Sequence, residues 1–393
     1  MHDQTTVNLK MLFKTNMRQF TMIAALLLIW LLFSIATDGV FLSPRNLSNL
    51  FLQTVTVAIV ACGMVLIIVT GNIDLSVGSV AGFCGAVAAV LQVNFGWGTV
   101  ATIGAVLLTG VAIGAWHGFW VAWKQVPAFI VTLASMLAFR GAILAVTGGS
   151  TISPMHDSFK VIGTGYLPDI RFDGTSFNDT SALLTIAFLI IYLLMEAGKR
   201  RNLIAHGLPV LPLGLDSLRI GLTALAIAAV CGVMIFNEGF PYAVLLLVLV
   251  VLVCRFVAER TVFGRRLYAI GGNSEAALLS GIDLKKNLMG LYMLFGGLTA
   301  LAGMVMTARL NAATTSAGVN MELDAIAAAV IGGTSLMGGE GKITGAVIGA
   351  LIMSSLDNGM SLMNLDSAYQ YIIKGLILLT AVWADVAMRR RKG

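Results

Sequence analysis

The segment 337–345, MGGEGKITG, is the part of the chain whose residue types come nearest to a phosphate-binding loop. Such a loop follows the pattern GxxxxGK[ST], in which backbone N–H groups and a lysine hold the phosphates. The pattern needs a glycine where Leu336 stands and a serine or threonine where Ile343 stands, so it fails at both positions. The sequence also contains no GxSxG motif and no GxGxxG motif. We therefore predict no catalytic residue and no ATP hydrolysis by this chain.

Cysteine and histidine form no metal-binding pattern. All four cysteines lie in apolar segments without a CxxC spacing, which is typical of small buried side chains: Cys62, Cys84, Cys231 and Cys254. The four histidines are scattered along the chain: His2, His117, His156 and His206. We predict neither a disulfide nor a metal site.

Two polar, glycine-containing stretches interrupt otherwise apolar runs, VTGNIDLSVGS at 69–79 and VIGGTSLMGGEGKITG at 330–345. Their polar residues include Asn72, Asp74, Ser76, Thr334 and Ser335. The stretches align weakly with Leu75 over Leu336, as in the internal repeats of transporters whose broken helices lie near a pathway. The alternative is that both are ordinary tight cytoplasmic turns, and the sequence leaves the two interpretations open.

Ionisable residues stand within or beside the apolar segments, where a charge is costly and usually functional. They are Asp74, Arg140, Glu322, Asp324, Asp357 and Lys374. Glu322 and Asp324 have a second interpretation, because carboxylates at the start of a helix in NMELDAIAAAV interact favourably with its positive end. We favour this capping interpretation for the pair.

The elements that hold these residues are predicted from composition and hydropathy. The chain is 58% hydrophobic and 11% charged, whereas soluble domains are about a quarter charged. Apolar stretches of membrane-crossing length recur along nearly the whole sequence, and the alternation of a membrane β-barrel is missing. We predict an all-α, polytopic transmembrane helical bundle of about twelve helices at 20–37, 47–70, 76–93, 98–123, 127–147, 181–197, 217–236, 242–258, 287–308, 321–337, 343–360 and 369–388.

Lysine and arginine orient this bundle, because they concentrate in cytoplasmic loops. An even number of helices puts both termini on one side, and the basic N-terminal arm, about 1–19, and the ending MRRRKG place both in the cytoplasm. Nineteen of the 25 basic residues then fall inside, and the four outside are Arg45, Lys160, Arg171 and Arg309. The net charge of +6 is therefore a topology signal, and we predict no nucleic-acid partner. The largest outside loop, about 148–180, is polar enough to meet an extracytoplasmic partner.

Small residues at regular spacing predict close helix packing. The stretch GVAIGAWHG places Gly110, Gly114 and Gly118 four residues apart on one helix face. Such a face lets two helix backbones approach closely in lipid.

The segment GRRLYAIGGNSEAALLSGID, 264–283, is unusually charged for this chain and lies between two long apolar segments. It predicts a two-turn helix that starts at Asn273 or Ser274. Glu275 stands in the favoured acidic first turn, and Gly281 is a natural stop. A helix this short is unstable alone, so it packs either on its own neighbouring helix ends or in a groove of a cytoplasmic partner.

The same segment resembles a known family. Glu275, Ala276 and Ala277, followed by Gly281, match the E-A-A-x-x-x-G signature of the cytoplasmic coupling loop of ABC-importer permeases. The stretches IDLSVGS, VPAFIVTLASMLAFRG and ELDAIAAAVIGGTSLMGGEGKITGAVIGALIMSSLDNGM resemble sugar permeases of the ribose/xylose/galactose type, and the resemblance covers almost the whole chain. The I-x-L-P ending of the general coupling motif is missing here, and such sugar permeases also tend to lack it.

The resemblance implies one permease domain over 1–393 with a type II-like importer fold, in the bacterial inner membrane and acting as a homodimer surrounded by lipid. A periplasmic sugar-binding protein docks outside. An ATPase with two nucleotide-binding domains docks inside and carries the ATP and magnesium, so this chain binds no cofactor. The coupling loop, about 259–286, transmits ATP-driven closure through a helix at 274–281. The implied coupling residues are Arg265, Arg266, Asn273, Glu275, Ala276, Ala277, Ser280 and Gly281.

The polar residues of the apolar segments become candidates for the translocation pathway or gate: Asn72, Asp74, Ser76, Glu322, Asp324, Thr334, Ser335 and Asn358. Short ribose-type permeases have no counterpart of the region 181–236, which looks like the extra helical pair of xylose-type and multiple-monosaccharide-type permeases. The resemblance thus favours xylose or related aldoses as substrate.

Two other classes of function are also open. An ion-coupled secondary sugar transporter would use Asp74, Glu322 or Asp324 as ion carrier and need no ATPase, but it leaves the charged segment 264–283 unexplained. A membrane scaffold or receptor component would not transport at all.

Overall fold

The computed structural model of the protein describes residues 9–170, 177–208 and 210–390. The N-terminal arm predicted at about 1–19 lies partly outside these residues, and Arg171 lies outside them. The described residues contain fifteen α-helices: α1 (Leu9–Ala36), α2 (Pro44–Val69), α3 (Val77–Ala89), α4 (Thr99–Gly118), α5 (Ala128–Thr147), α6 (Asp157–Thr164), α7 (Asp179–Ala205), α8 (Leu213–Ile235), α9 (Tyr242–Arg260), α10 (Val262–Gly272), α11 (Ser274–Leu279), α12 (Leu284–Leu310), α13 (Met321–Ile331), α14 (Ile343–Leu362) and α15 (Ser367–Arg390).

Each of the twelve predicted helices coincides with one of these helices. Nine helices in the described part of the chain are long and apolar enough to cross a membrane: α2 to α5, α7 to α9, α12 and α14. Of these, α3 reaches that length only with the π-helical turn that follows it, and a π-helical turn also continues α4. A shorter apolar stretch, Thr21–Ala36, lies in α1. The prediction of an all-α, polytopic transmembrane bundle is confirmed.

The helix predicted at 321–337 is wrong at its C-terminal end, because α13 stops at Ile331. Its 11 residues rise about 16 Å, roughly half the thickness of the hydrocarbon. Gly333 follows with a φ of +103°, a left-handed conformation that ends helices and suits glycine. The polar turn beyond it is therefore not a continuation of the apolar helix.

The chain that leads into α13 is not helical. Gly318 packs against the backbone of Gly78 in α3, and the next turn of α3 contacts Gly303 of α12. Gly303 lies about two turns before the end of α12 at Leu310. The segment 311–320 therefore folds back from the end of α12 into the bundle, and α13 completes a discontinuous crossing.

The centre of the bundle is α2. Its residues from Ala58 to Val69 are all buried, and it packs against α9, α12, α13 and α14. A helix that is apolar all round belongs in such a core. The first polar interruption, 70–76, follows α2 directly and is therefore held inside the protein.

The glycine face of α4 packs on α12 as the sequence predicts. A Cβ on Gly114 would overlap the carbonyl oxygen of Tyr292, and one on Gly110 would overlap that of Gly296. The backbones of α4 and α12 are therefore in direct contact here, and only glycine permits so close an approach.

Helices α7 and α8 form the pair predicted at 181–236 and pack on each other at the edge of the bundle. α7 continues about two turns beyond its predicted end. Its charged end is fastened to α8, since Arg200 donates to Asp216 at 2.6 Å and Arg219 pairs with Glu196.

Candidate functional site

The first interruption wraps around a buried carboxylate. α2 ends at Val69, and its C-cap residue is Thr70, whose hydroxyl oxygen accepts a hydrogen bond from the side chain of Asn72 at 2.9 Å. One oxygen of Asp74 accepts from both the backbone N–H and the hydroxyl of Ser76, at 2.8 and 2.7 Å. These bonds hold 70–76 as a fixed turn before α3 begins.

Beyond the second oxygen of Asp74 lie two residues that the sequence prediction missed, His117 and, against its ring, Tyr292. His117 of α4 lies with Nδ1 3.7 Å from Oδ2 of Asp74, and its ring stands 6.3 Å from that of Tyr292 in α12. His117 Nε2 and the Tyr292 hydroxyl are buried and have no hydrogen-bond partner among the described residues. The only local signal was the position of His117 within the glycine motif GVAIGAWHG, beside Gly118.

Glu322 lies in the first turn of α13, as the capping interpretation requires. Its Oε2 points at Gly78 at the start of α3, and this oxygen has no partner in the part of the chain that the structure describes. Arg140 of α5 donates at 2.7 Å to the carbonyl of Ala317, in the folded-back segment before α13. Arg140 therefore holds the folded-back segment just before the helix that carries Glu322.

Asp324 lies in the same first turn but is paired with a distant cation. Lys374 of α15 donates to Asp324 at 3.1 Å and lies 2.8 Å from Asp357 of α14. The lysine thus links three helices. Asp324 therefore has two favourable interactions. It pairs with Lys374 in this ion cluster, and it lies at the positive end of the α13 dipole.

The second interruption is a turn between α13 and α14 in which Thr334 and Ser335 are buried and Met337 and Glu340 are exposed. The Ser335 hydroxyl oxygen accepts from the Met337 N–H at 3.1 Å, and the Ser335 N–H donates to the Glu340 carbonyl at 2.8 Å. Thr334 is also buried, and its hydroxyl has no partner among the residues described. The turn is joined to the first interruption, because the Gly339 N–H donates to the carbonyl of Val69 at 2.8 Å.

Asn358 is not brought together with the other pathway candidates. Its side chain exchanges two hydrogen bonds with that of Asn46, at 2.8 and 3.1 Å. Asn46 stands in the first turn of α2, whereas Asn72 follows the last turn. Asn358 therefore fastens α14 to α2 at the opposite end of α2 from the interruptions.

The predicted charged helix is present as α11, and it ends two residues earlier than predicted. The Asn273 side chain accepts from the Ala276 N–H at 2.9 Å and caps the helix, with Glu275 in the first turn. Ser280 is the C-cap residue, and Gly281 has a φ of +80°, so the helical residues are Ser274–Leu279 and not 274–281.

The side chains of α11 divide into a packed face and an exposed face. Ala277 is buried against the protein. Glu275, Ala276 and Ser280 are exposed, as are Arg265 and Arg266 on the preceding α10. The prediction did not single out Leu278 and Leu279, which are 61% and 89% exposed.

Comparison with known proteins decides what kind of molecule carries this arrangement. The chain matches, over residues 46–382, the family described as the permease component of the branched-chain amino acid transport system. That match covers well over half of the chain. The chain belongs to this permease family.

Individual relatives are similar along nearly the whole permease. The xylose transport system permease protein XylH of Escherichia coli K12 is 46% identical over 376 residues, covering 96% of this chain and 93% of the relative. XylH of Haemophilus influenzae is 43% identical, covering 96% and 98%. The ribose import permease protein RbsC of Escherichia coli K12 is 35% identical, covering 94% of each. No solved structure matches the chain.

The resemblance to sugar permeases of ABC importers is confirmed by these matches. In the permease, five of the eight pathway candidates stand in the two interruptions: Asn72, Asp74, Ser76, Thr334 and Ser335. Glu322 lies beside Gly78 at the start of α3, whereas Asp324 pairs with Lys374 of α15. The coupling candidates lie together on α10 and α11. The roles of both groups remain predictions.

Proposed function

We propose that this permease is the transmembrane subunit of an ATP-driven ABC importer that moves xylose or a related aldose from the periplasm into the cytoplasm. The observation that carries the proposal is its 46% identity, over 96% of the chain, with a xylose permease. Identity with a ribose permease is lower, at 35%. The peripheral pair α7–α8 also fits the extra helical pair expected of xylose-type and multiple-monosaccharide-type permeases.

Coupling to the ATPase is assigned to α11. Leu278 and Leu279 expose apolar surface beside Glu275 on a helix too short to be stable alone. Exposed apolar residues rimmed by polar ones are typical of a protein interface. A groove of a cytoplasmic ATPase with two nucleotide-binding domains would cover them, and that partner would bind the ATP and magnesium.

The remaining parts of the assembly follow from the same proposal. The permease acts as a homodimer in the bacterial inner membrane with both termini in the cytoplasm, and a periplasmic sugar-binding protein docks outside. The two interruptions line the pathway or its gate. Most of their polar groups are already paired within the permease, which suits a system whose binding protein supplies selectivity.

The test is uptake of radiolabelled xylose by vesicles that contain the permease, its ATPase and its binding protein, with ATP inside. Uptake should require ATP, stop when the ATPase is omitted, and persist when a protonophore collapses the proton gradient. Loss of uptake with the protonophore at constant ATP would favour the ion-coupled transporter. Absence of uptake under all conditions would favour a scaffold or receptor component.

A further inference from the structure

α10, the helix that precedes α11, touches both interruptions at one small contact between backbones. Gly271 lies directly on the carbonyl of Val69, the last residue of α2, and a Cβ there would overlap that oxygen. The same Cβ would lie 2.8 Å from the nitrogen of Gly339 in the second interruption. A Cβ on Gly338 would in turn lie 2.6 Å from the Gly271 carbonyl oxygen. We call these residues, Val69, Gly271, Gly338 and Gly339, the glycine joint.

A side chain one turn earlier on α10 reinforces the joint. The Tyr268 hydroxyl donates to the carbonyl of Gly341 at 2.8 Å, so α10 is also bonded to the residue pair that leads into α14. Burial raises the pKa of Tyr268, so the phenol stays protonated and can donate at neutral pH. Tyr268 and Gly271 are three residues apart and therefore share one face of the helix.

The position of the joint along the chain connects docking with the pathway. Two residues after Gly271 stands Asn273, the capping residue of α11. Val69 is followed by the turn around Asp74, and Gly339 belongs to the turn that contains Thr334 and Ser335. Because the contacts are made by backbone atoms, no flexible side chain can absorb a displacement of α11 before it reaches either turn.

We propose that the glycine joint, held by Gly271 and Tyr268, transmits the movement of α11 to both interruptions together, and that these two are positioning residues for transport. The proposal rests on the proposed function, because it needs an ATPase that moves α11. It also separates two tasks: the exposed face of α11 binds the ATPase, and the joint behind it moves the gate.

The chain offers a matched pair of variants. Gly271→Ala inserts a methyl group into the joint, whereas Gly272→Ala inserts the same group where nothing lies within 4 Å. In vesicles with the ATPase and binding protein, Gly271→Ala should bind the ATPase normally and hydrolyse ATP. It should import about tenfold less xylose per ATP hydrolysed, because displacing this contact should weaken the coupling between ATP hydrolysis and transport by about that factor. Gly272→Ala should match the wild type in binding, hydrolysis and uptake.

Tyr268→Phe is the second variant and decides the question if Gly271→Ala fails to reach the membrane. It keeps the ring and loses the hydrogen bond, so xylose imported per ATP should fall about three- to tenfold. A wild-type ratio in Tyr268→Phe would overturn the proposal, as would loss of ATPase binding in either variant, because the contact would then only pack or dock α11. Failure of the wild-type permease to import with ATP would instead refute the proposed function.

Discussion

At the scale of single residues, the buried ion cluster explains how charges are accommodated in this bundle. Lys374 contacts Asp324 and Asp357, and each carboxylate keeps one oxygen without a partner among the residues described. A buried charge is costly unless it is paired. Asp324 is thus occupied in holding α15 to α13, which makes it a poor candidate for a free ion carrier.

Lys374→Met should destabilise the permease, because the buried carboxylate of Asp324 and the half-buried carboxylate of Asp357 lose their cation. The expected loss is about 3–5 kcal/mol, the range for removing one partner of a buried pair. Thermal unfolding of the purified permease in detergent measures it. The triple variant Lys374→Met, Asp324→Asn, Asp357→Asn should recover most of the loss, and a single variant as stable as wild type would show that the cluster contributes little.

Glu275→Lys should weaken ATPase docking while leaving the fold intact. Reversing a charge at an exposed helix N-terminus changes the helix itself by only about 0.3–1 kcal/mol. At an interface with complementary charge, we expect a loss of about fivefold or more in ATPase affinity and a matching loss of uptake. The measurements are a pull-down of the ATPase and sugar uptake, both normalised to permease in the membrane.

Asp157→Lys is the matched control for ATPase docking. Asp157 is exposed in the first turn of α6, outside the coupling loop, so reversing its charge should leave ATPase binding unchanged. Gly281→Val should behave like Glu275→Lys, because a φ of +80° strains a branched side chain by about 1 kcal/mol or more. Full ATPase binding and uptake in both Glu275→Lys and Gly281→Val would mean that α11 serves packing only.

At the scale of elements, the discontinuous crossing is the feature that concentrates polar groups inside the bundle. α13 begins within the bundle, so the positive end of its dipole and the Glu322 carboxylate of its first turn lie beside α3. Irregular backbone is tolerated at membrane depth only where protein surrounds it. The central α2 and the packed α3, α12 and α14 provide that enclosure.

The contact between α4 and α12 predicts that a large side chain added to α4 destabilises the permease at one position and is tolerated at another. Gly114→Leu places a large side chain on the Tyr292 carbonyl and should destabilise the permease by about 1–3 kcal/mol or more. Gly104→Leu adds the same side chain to α4 where nothing lies within 4 Å and should be tolerated. The yield of folded, monodisperse permease from the membrane compares the two, and equal yields would mean that α12 moves aside at little cost.

At the scale of the whole molecule, α12 separates two surfaces with different proposed partners. α11 precedes its first turn, and α6 packs against its last turn, where Gly163 lies on Arg309. The 27 residues of α12 rise about 40 Å, enough to cross the hydrocarbon. The proposed topology therefore places α6 and α11 on opposite sides of the membrane.

Cysteine labelling tests that arrangement. Val161→Cys in α6 should react with an impermeant maleimide added to intact cells, and Ser274→Cys in α11 should react only after the inner membrane is permeabilised. Both positions are exposed. The four native cysteines are buried and should give little background. Labelling of both positions from outside would contradict the proposed topology.

The sequence by itself determined the class of protein, the approximate positions of twelve helices, and the short charged helix α11 with its start at Asn273 or Ser274. Each of these depends on residues close together in the chain: the length of an apolar run, the charges beside it, or a capping residue before a helix. These local features depend on how neighbouring residues interact with solvent, lipid and their own backbone. They can therefore be recognised without knowing which residues pack against them in the fold.

Only the tertiary structure decided which side chains meet inside the bundle, because these contacts join residues that are far apart in the chain. Asp74 meets His117 of α4, and His117 meets Tyr292 of α12, only when these elements pack together. Asn358 was a pathway candidate because its side chain is polar. In the structure this side chain is hydrogen-bonded to Asn46, at the opposite end of α2 from the interruptions. The end of α13 depended on the conformation of Gly333. The approach of Gly271 to Val69 could not be predicted from the residues around either position. A single sequence records which side chains are present, and packing determines which of them meet.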